Sequence, residues 1–199
     1  MTKKATKKNI IYTGKGDNGT TTLFHCEQGR ISKSANVIEA LGSVDELNSY
    51  IGIIKAQAND KKLSLKIKNK NIIYTEILEN IQQQLFIIQA EIAGSPMSIK
   101  KSSLNEIELI IKTISNKLPL VNSFIISGGS LLSALLDFAR TLTRRGERAI
   151  IGMQDEGFKK LNKNTIAYMN RLSSVFFALS RYANYLFSIK ENYPKYNRK

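Results

Sequence analysis

The sequence predicts an all-α protein, an up-and-down bundle of four long helices and one short helix. Three observations support this fold class. Apolar residues recur at spacings of three and four in several long segments, as they do on one face of a helix. The connections between these segments are of modest length. Few stretches show the strict alternation of a convincing β-strand, and a sheet-based fold would need strands that the pattern does not indicate.

Length and composition indicate a single domain. The chain has 199 residues, of which 42% are hydrophobic, which is enough for one well-filled core. No shift in composition marks an interior boundary, so residues 1–199 are expected to form one domain. The polar ends, about 1–9 and 192–199, are expected to be flexible tails.

The formal net charge of +14 raises nucleic acid or an acidic membrane surface as partners. Much of this charge lies in lysine clusters at both ends and in the connection 61–70, where lysines are more often solvated than part of a binding site. We therefore expect neither nucleic acid nor a membrane as a partner. A basic helical protein that binds nucleic acid through arginines stays open as an alternative.

The chain has one histidine, His25, and one cysteine, Cys26. These two residues exclude a disulfide framework and a cluster of His and Cys metal ligands within one chain, and we treat both as incidental. A reducing, cytoplasmic location is the simplest interpretation. Arg181 interrupts the most apolar part of the last helix, so no apolar run reaches the length of a membrane span. The basic N-terminus is a poor signal or transit peptide.

A loop of small residues, 13–22, precedes the first helix. Its glycines match G-x-G-x-x-G, but a polar, threonine-rich segment follows instead of an opening helix, so a dinucleotide fold is not indicated. Such a loop can bind phosphates through backbone N–H groups and hydroxyls. A mobile surface turn is an equally good interpretation of this segment alone.

The first long helix is predicted to begin at Asn36, a suitable N-cap. Asp45 and Asn48 lie on a face away from its apolar stripe, where such residues are usually solvated. Its apolar positions are Val37, Ala40, Val44, Leu47, Ile51 and Ile54.

Three further helices follow the same apolar periodicity. The second spans about 71–93, the short third about 104–117, and the last about 165–190. The second is expected to bury Ile73, Ile77, Ile81, Leu85 or Phe86, Ile88 and Ile92. The last is expected to bury Ile166, Met169, Leu172, Phe176, Leu179 and Leu186.

The chain is organised around residues 124–153, in which a two-glycine turn leads to Ser130 as the N-cap of a long helix. The predicted buried stripe of this helix is Leu131, Leu135, Phe138, Leu142, Ala149 and Met153. The opposite face carries Asp137, Arg140, Arg144, Glu147 and Arg148. This charged face is either a solvated face with ion pairs or an anion site, in which Glu147 would hold Arg144 in place. Arginines spaced four apart along about 12 Å of helix suit a polyphosphate.

Three blocks together resemble the PduO-type ATP:cob(I)alamin adenosyltransferases. They are YTGKGDNGTTTLF at 12–24, KSANVIEALGSVDELNSYIG at 33–52, and 124–148 continued by NRLSSVFFALSRYAN at 170–184. The resemblance implies a ferritin-like helical bundle that forms a homotrimer with its active site between subunits. It also implies ATP as co-substrate with Mg²⁺, and cobalamin as the corrinoid substrate. The reaction moves the 5'-deoxyadenosyl group of ATP to cob(I)alamin and releases triphosphate. A reductase that supplies electrons and an enzyme that uses adenosylcobalamin are implied partners.

The resemblance also implies roles for individual residues. Asp45 and Arg140 would form an ion pair between subunits, Lys33 would contact phosphates, and Phe124 would crowd the lower face of the corrinoid. The remaining residues implied to bind the nucleotide are Thr13, Gly14, Gly16, Asp17, Gly19, Thr21, Arg144, Glu147, Arg148 and Asn170. No residue is expected to form a dedicated metal site.

The chain departs from the family pattern at Val37, Ser127, Asp137, Gly146 and Ser174, where the family often has Arg, Pro, His, Ala and Asp. Asp137 lies one turn from Arg140 and is expected to compete with Asp45 for it. Ser127 and Asp137 lie on the implied corrinoid side, so a family member that binds or delivers cobalamin without catalysis also stays open.

Overall fold

The structure, a computed structural model, describes residues 11–24, 29–59 and 63–196. These residues form five α-helices and two small antiparallel hairpins. In chain order the elements are β1 (Thr20–Thr21), β2 (Ile31–Ser32), α1 (Asn36–Asn59), β3 (Ser64–Ile67), β4 (Lys70–Ile73), α2 (Tyr74–Ile92), α3 (Lys101–Ser115), α4 (Leu131–Asp155) and α5 (Lys163–Leu186). The mostly helical architecture predicted from the sequence is confirmed. His25 and Cys26 lie outside the described residues.

Helix α4 lies between α1 and α5 and packs against both, while α1 also packs against α2, and α3 packs against α5. The core between them consists mainly of Leu, Ile, Val and Ala side chains, with Tyr74, Tyr168 and Phe176 among the largest that are fully buried. In the described part of the chain no helix is long and apolar enough to cross a membrane.

Side-chain caps mark the starts of two helices, α4 and α5. The Ser130 hydroxyl accepts a hydrogen bond from the Ser133 backbone N–H at 3.1 Å, which confirms Ser130 as the N-cap of α4. Helix α5 begins after Asn162, whose side chain accepts from the Asn164 N–H at 2.9 Å. Buried Glu91 of α2 accepts from the Asn162 N–H at 2.6 Å, so it joins α2 to the start of α5.

The sequence analysis found few convincing strands and identified none in the lysine-rich connection 61–70. The structure has the hairpin β3–β4 at 64–73, in which Ile67 pairs with Lys70 and Ser64 with Ile73. Leu65 and Ile67 are buried while Lys66 between them is exposed. This alternation has the period of a strand, but it is too short to stand out from the lysines around it. As a result α2 begins three residues later than predicted.

The buried face of α4 is rotated relative to the predicted stripe. Leu131 and Phe138 are 61% and 51% exposed, whereas the predicted surface residue Asp137 is buried. The reason is that α4 packs against two helices, so its buried face is wide and includes small and polar side chains. Leu142 and Met153 are buried as predicted. Ile73 and Leu186 are partly exposed because they lie at the ends of their elements.

Candidate functional site

A cavity of about 330 Å³ opens between α4, α5 and the segment that leads into α4. The implied site residues Phe124, Arg140 and Arg144 line it together. The other lining residues are Val121, Ser123, Ile125, Ser173, Ser174 and Phe177. The structure therefore places two cations and two aromatic rings around one opening, a combination suited to a ligand with both an anionic and an apolar part.

The turn that precedes α4 is held on several sides. Gly128 donates its N–H to Asp137 Oδ2 at 3.2 Å, and its carbonyl oxygen accepts from Ser133 Oγ at 3.0 Å and from Asn184 Nδ2 at 2.8 Å. Asn184 Oδ1 accepts from the Ser130 N–H at 3.0 Å. The turn is thus fixed to α4 and α5, and Phe124 lies just before it.

Phe124 itself is 79% exposed, at the rim of the cavity. A large aromatic side chain in that position has an apolar face free for a ligand or a neighbouring subunit.

Arg140 has an incomplete set of partners. Its Nε lies 3.8 Å from Asp137 Oδ1, beyond hydrogen-bond distance, and this buried nitrogen has no hydrogen-bond partner in the described chain. Asp137, a departure from the family pattern, thus has two neighbours: it anchors Gly128 and faces Arg140.

The predicted partner of Arg140, Asp45, lies exposed on α1 and accepts from Gln89 Nε2 at 3.2 Å. Asp45 and Arg140 do not pair within the described chain, and their pairing between subunits stays a prediction.

Residues implied to bind the nucleotide meet one turn farther along α4. Glu147 Oε1 accepts from Asn170 Nδ2 at 3.0 Å, so it is Asn170 and not Arg144 that Glu147 contacts. Arg171 donates to Asn170 Oδ1 at 2.7 Å. Arg144 and Arg148 are exposed, with their guanidinium groups accessible to an anion.

A second group of implied residues forms around the N-terminal loop. Its turns are closed by hydrogen bonds from Asp17 N to Gly14 O and from Gly19 N to Gly16 O, both 3.2 Å long, and Lys33 N donates to Gly19 O at 2.9 Å. A Cβ atom placed on Gly16 would lie 3.0 Å from Lys33 Nζ. The loop therefore folds against Lys33.

Arg30, which lies just before β2, holds this loop and was missed by the sequence analysis. Its Nε donates to Thr20 Oγ1 at 2.6 Å and its Nη2 to Thr20 O at 2.8 Å, and Nη2 also contacts Lys15 O. The available signal was that Arg30 is the only arginine before Arg140. Arginine supplies a planar fork with several donors, which lysine does not.

The two groups are separate within one chain. Among the described residues, no hydrogen bond or ion pair joins the implied residues of the loop to those of α4 and α5. The described residues also contain no cluster of three or more His, Cys, Asp or Glu side chains that could hold a metal ion.

The sequence and fold match proteins of known activity. A corrinoid adenosyltransferase from Mycobacterium leprae is 35% identical over 187 residues, which is 87% of this chain and 91% of the relative. One from Bacillus subtilis is 32% identical over 178 residues, 87% of this chain and 86% of the relative. The corrinoid adenosyltransferase PduO from Citrobacter freundii is 35% identical over 86% of this chain. This chain spans about half of that relative, 49% of its length.

Solved structures share the fold. A variant PduO-type ATP:corrinoid adenosyltransferase from Lactobacillus reuteri, complexed with cobalamin and ATP, superposes with a TM-score of 0.81 at 31% identity. The match covers 94% of this chain and 100% of that chain. The family model for cobalamin adenosyltransferases matches residues 11–183. This chain therefore belongs to the cobalamin adenosyltransferase family.

Proposed function

We propose that this protein transfers the 5'-deoxyadenosyl group of ATP to cob(I)alamin, giving adenosylcobalamin and triphosphate. The observation that carries the proposal is the grouping of Phe124, Arg140 and Arg144 around one cavity in a member of this family. The nearby contact between Glu147 and Asn170 supports it, because the resemblance implies that both residues bind the nucleotide.

The chemistry makes modest demands on the protein. The electron pair of cobalt(I) attacks C5' of ATP, the Co–C5' bond forms, and the C5'–O5' bond breaks as triphosphate leaves with its electron pair. Because cobalt(I) is itself a strong nucleophile, no catalytic serine, cysteine or histidine is needed. The tasks that remain are to align the substrates and to stabilise the charge of the leaving group.

Exposed arginines on α4 fit the second task. Arg144 and Arg148 are one helical turn apart, and Lys33 would be supplied by the loop group. A donor aimed at the leaving group can lower a barrier by roughly 3 kcal/mol, about a hundredfold or more in rate.

Mg²⁺ would bind with the nucleotide. This ion commonly uses one or two carboxylates together with substrate phosphates. The ion would supply charge neutralisation on the phosphates.

A ferritin-like homotrimer would complete the site. Two observations support a site assembled from two subunits. Arg140 Nε has no hydrogen-bond partner among the described residues, and the two residue groups are separate within one chain. Asp45 of a neighbour would reach Arg140. Exposed apolar side chains on α1, α2 and α4 suit such contacts, among them Ile53, Phe86, Leu131 and Phe138. A cobalt reductase and an adenosylcobalamin-dependent enzyme would be the functional partners.

The test is anaerobic turnover of chemically reduced cobalamin with MgATP. Loss of the cob(I)alamin absorbance, with adenosylcobalamin and triphosphate formed in equal amounts, is the expected result. A folded protein that binds both substrates without turnover would instead be a binding or delivery protein.

Arg144→Ala is expected to lower kcat/KM at least a hundredfold without changing the melting temperature, because Arg144 is exposed and lines the cavity. Arg145→Ala is the matched control. Arg145 is the adjacent residue but pairs with Glu46 of α1, so its loss should leave turnover within a few fold. Equal losses in the two variants would contradict the role given to Arg144.

A further inference from the structure

We propose that Arg181 and Glu191 are positioning residues for the corrinoid substrate. They tie the chain that follows α5 to the segment that carries Phe124, and so fix the apolar rim of the cavity. This inference rests on the proposed function, because the ligand that Phe124 contacts is taken to be the corrinoid.

Arg181 lies near the end of α5 and is only 9% exposed. Its Nε donates to Glu191 Oε1 at 2.6 Å and its Nη2 donates to Glu191 Oε2 at 3.0 Å. This two-point contact fixes both the distance and the orientation of the carboxylate. The residues after α5 therefore fold back onto the helix instead of extending from it.

The same guanidinium also holds the segment that leads to α4. Arg181 Nη2 donates to Pro119 O at 3.0 Å. Seven residues later, Ile126 donates its N–H to Asn192 O at 2.8 Å, and Asn192 directly follows Glu191. Residues 119–126 are thus attached at Pro119 to Arg181 and at Ile126 to Asn192, next to Glu191. Phe124 lies between these two attachments.

Arg181 also contacts the cavity wall. Its guanidinium carbon lies 5.9 Å from the ring centre of Phe177, which lines the cavity together with Phe124. The buried Arg181 guanidinium therefore contacts Phe177 on α5. It also holds the segment that carries Phe124, the other aromatic residue that lines the cavity.

Breaking the ion pair should affect the two substrates unequally. The residues assigned to ATP on α4 and α5 lie within helices that pack on the core, and Glu147 and Asn170 keep their mutual contact. The position of Phe124, in contrast, depends on Pro119 and Ile126. Loss of Glu191 should therefore weaken the corrinoid interaction and leave the nucleotide interaction nearly unchanged.

The variant for the test is Glu191→Gln, which keeps the size of the side chain but removes its charge. We expect KM for cob(I)alamin to rise about tenfold and KM for ATP to stay within twofold. The matched control is Glu108→Gln, which removes the exposed partner of another α5 arginine, Arg171, at 3.3 Å. Its two KM values should both stay within twofold.

Hydrogen exchange supplies a readout that does not depend on activity. The Ile126 amide should exchange at least tenfold faster in Glu191→Gln than in the wild-type protein, while the amides inside α4 keep their rates. Glu191→Asp retains the charge with a shorter reach, and it should show smaller changes of the same kind.

Equal changes in both KM values, or an Ile126 amide that exchanges at the wild-type rate, would overturn the inference. If wild-type protein shows no turnover, the proposed function fails, and the exchange measurement still decides whether the ion pair positions this segment. Should Glu191→Gln not fold, Glu191→Asp takes its place in both measurements.

Discussion

Gly129 lies in the turn before α4 with a φ of +109°, and a Cβ atom on it would meet Asn184. The distances would be 2.5 Å to Oδ1, 2.6 Å to Nδ2 and 2.8 Å to Cγ, so Asn184 would have to move. Asn184 is buried and holds both Ser130 and Gly128. Gly129→Ala is therefore expected to disturb the turn in two ways, through backbone strain and through displacement of a hydrogen-bonded side chain.

The two contributions can be given magnitudes. A non-glycine residue held at such a φ costs about 1–3 kcal/mol. Displacing Asn184 removes three hydrogen bonds, from the Ser130 N–H, from Ser130 Oγ and to Gly128 O, each with a net value of about 1 kcal/mol. We expect Gly129→Ala to lower the free energy of unfolding by about 4–6 kcal/mol, measured by urea denaturation at a fixed chain concentration.

The neighbouring glycine is the control. Gly128 has a φ of +121°, but a Cβ atom on it would meet nothing within 4 Å. Gly128→Ala should therefore show the strain alone, about 1–3 kcal/mol. In an Asn184→Ala background the two glycine substitutions should cost about the same, because the obstructing atoms are gone. Equal costs in the wild-type background would refute the reasoning.

Two further predictions concern stability. Gly146→Ala should stabilise α4 by about 1 kcal/mol, because the added methyl would lie 3.5 Å from Met169 Cε and 3.8 Å from Ser43 O, which are ordinary contacts; a lower urea midpoint would contradict this. Burial raises the pKa of Tyr74 and of Tyr168 above the ordinary value. Neither tyrosine ionises readily in the folded state, so each lowers the free energy of unfolding as pH rises past the ordinary value. The free energy of unfolding is therefore at its full value below about pH 10 and falls as pH rises further. Urea midpoints should fall above that pH, and Tyr74→Phe should reduce the fall; an unchanged pH dependence in this variant would contradict the contribution of Tyr74.

The features of the fold that could be predicted depend on local interactions. Ser130 as the N-cap of α4 follows from a side chain that acts within one turn of its own position. Helix α1 begins at Asn36 as predicted, although the Asn36 side chain contacts Glu156, which follows α4. The buried face of α4 could not be found in this way. Whether Asp137 or Phe138 is buried depends on where α1 and α5 lie, and a single helical stripe contains no information about two packing partners.

The candidate site could likewise be predicted only in part. The three blocks that resemble the family identified its residues, and Phe124, Arg140 and Arg144 do meet at one cavity. The contacts that hold the walls of that cavity could not be predicted. The Asp137 carboxylate reaches back nine residues to Gly128, and Arg181 reaches Pro119 across sixty-two residues of sequence. Such contacts depend on the tertiary path of the chain, which spacing alone does not specify.

The hairpin β3–β4 affects whether copies of this protein aggregate through their strand edges. It is a two-stranded sheet, so each strand has one edge without a neighbouring strand in that sheet, and such edges can pair with strands of other molecules. Lys66, Lys68 and Lys70 are exposed on this hairpin, and a second copy brought edge to edge would place like charges together. The lysines of the segment that connects α1 to α2 thus disfavour edge-to-edge pairing of this hairpin with another copy.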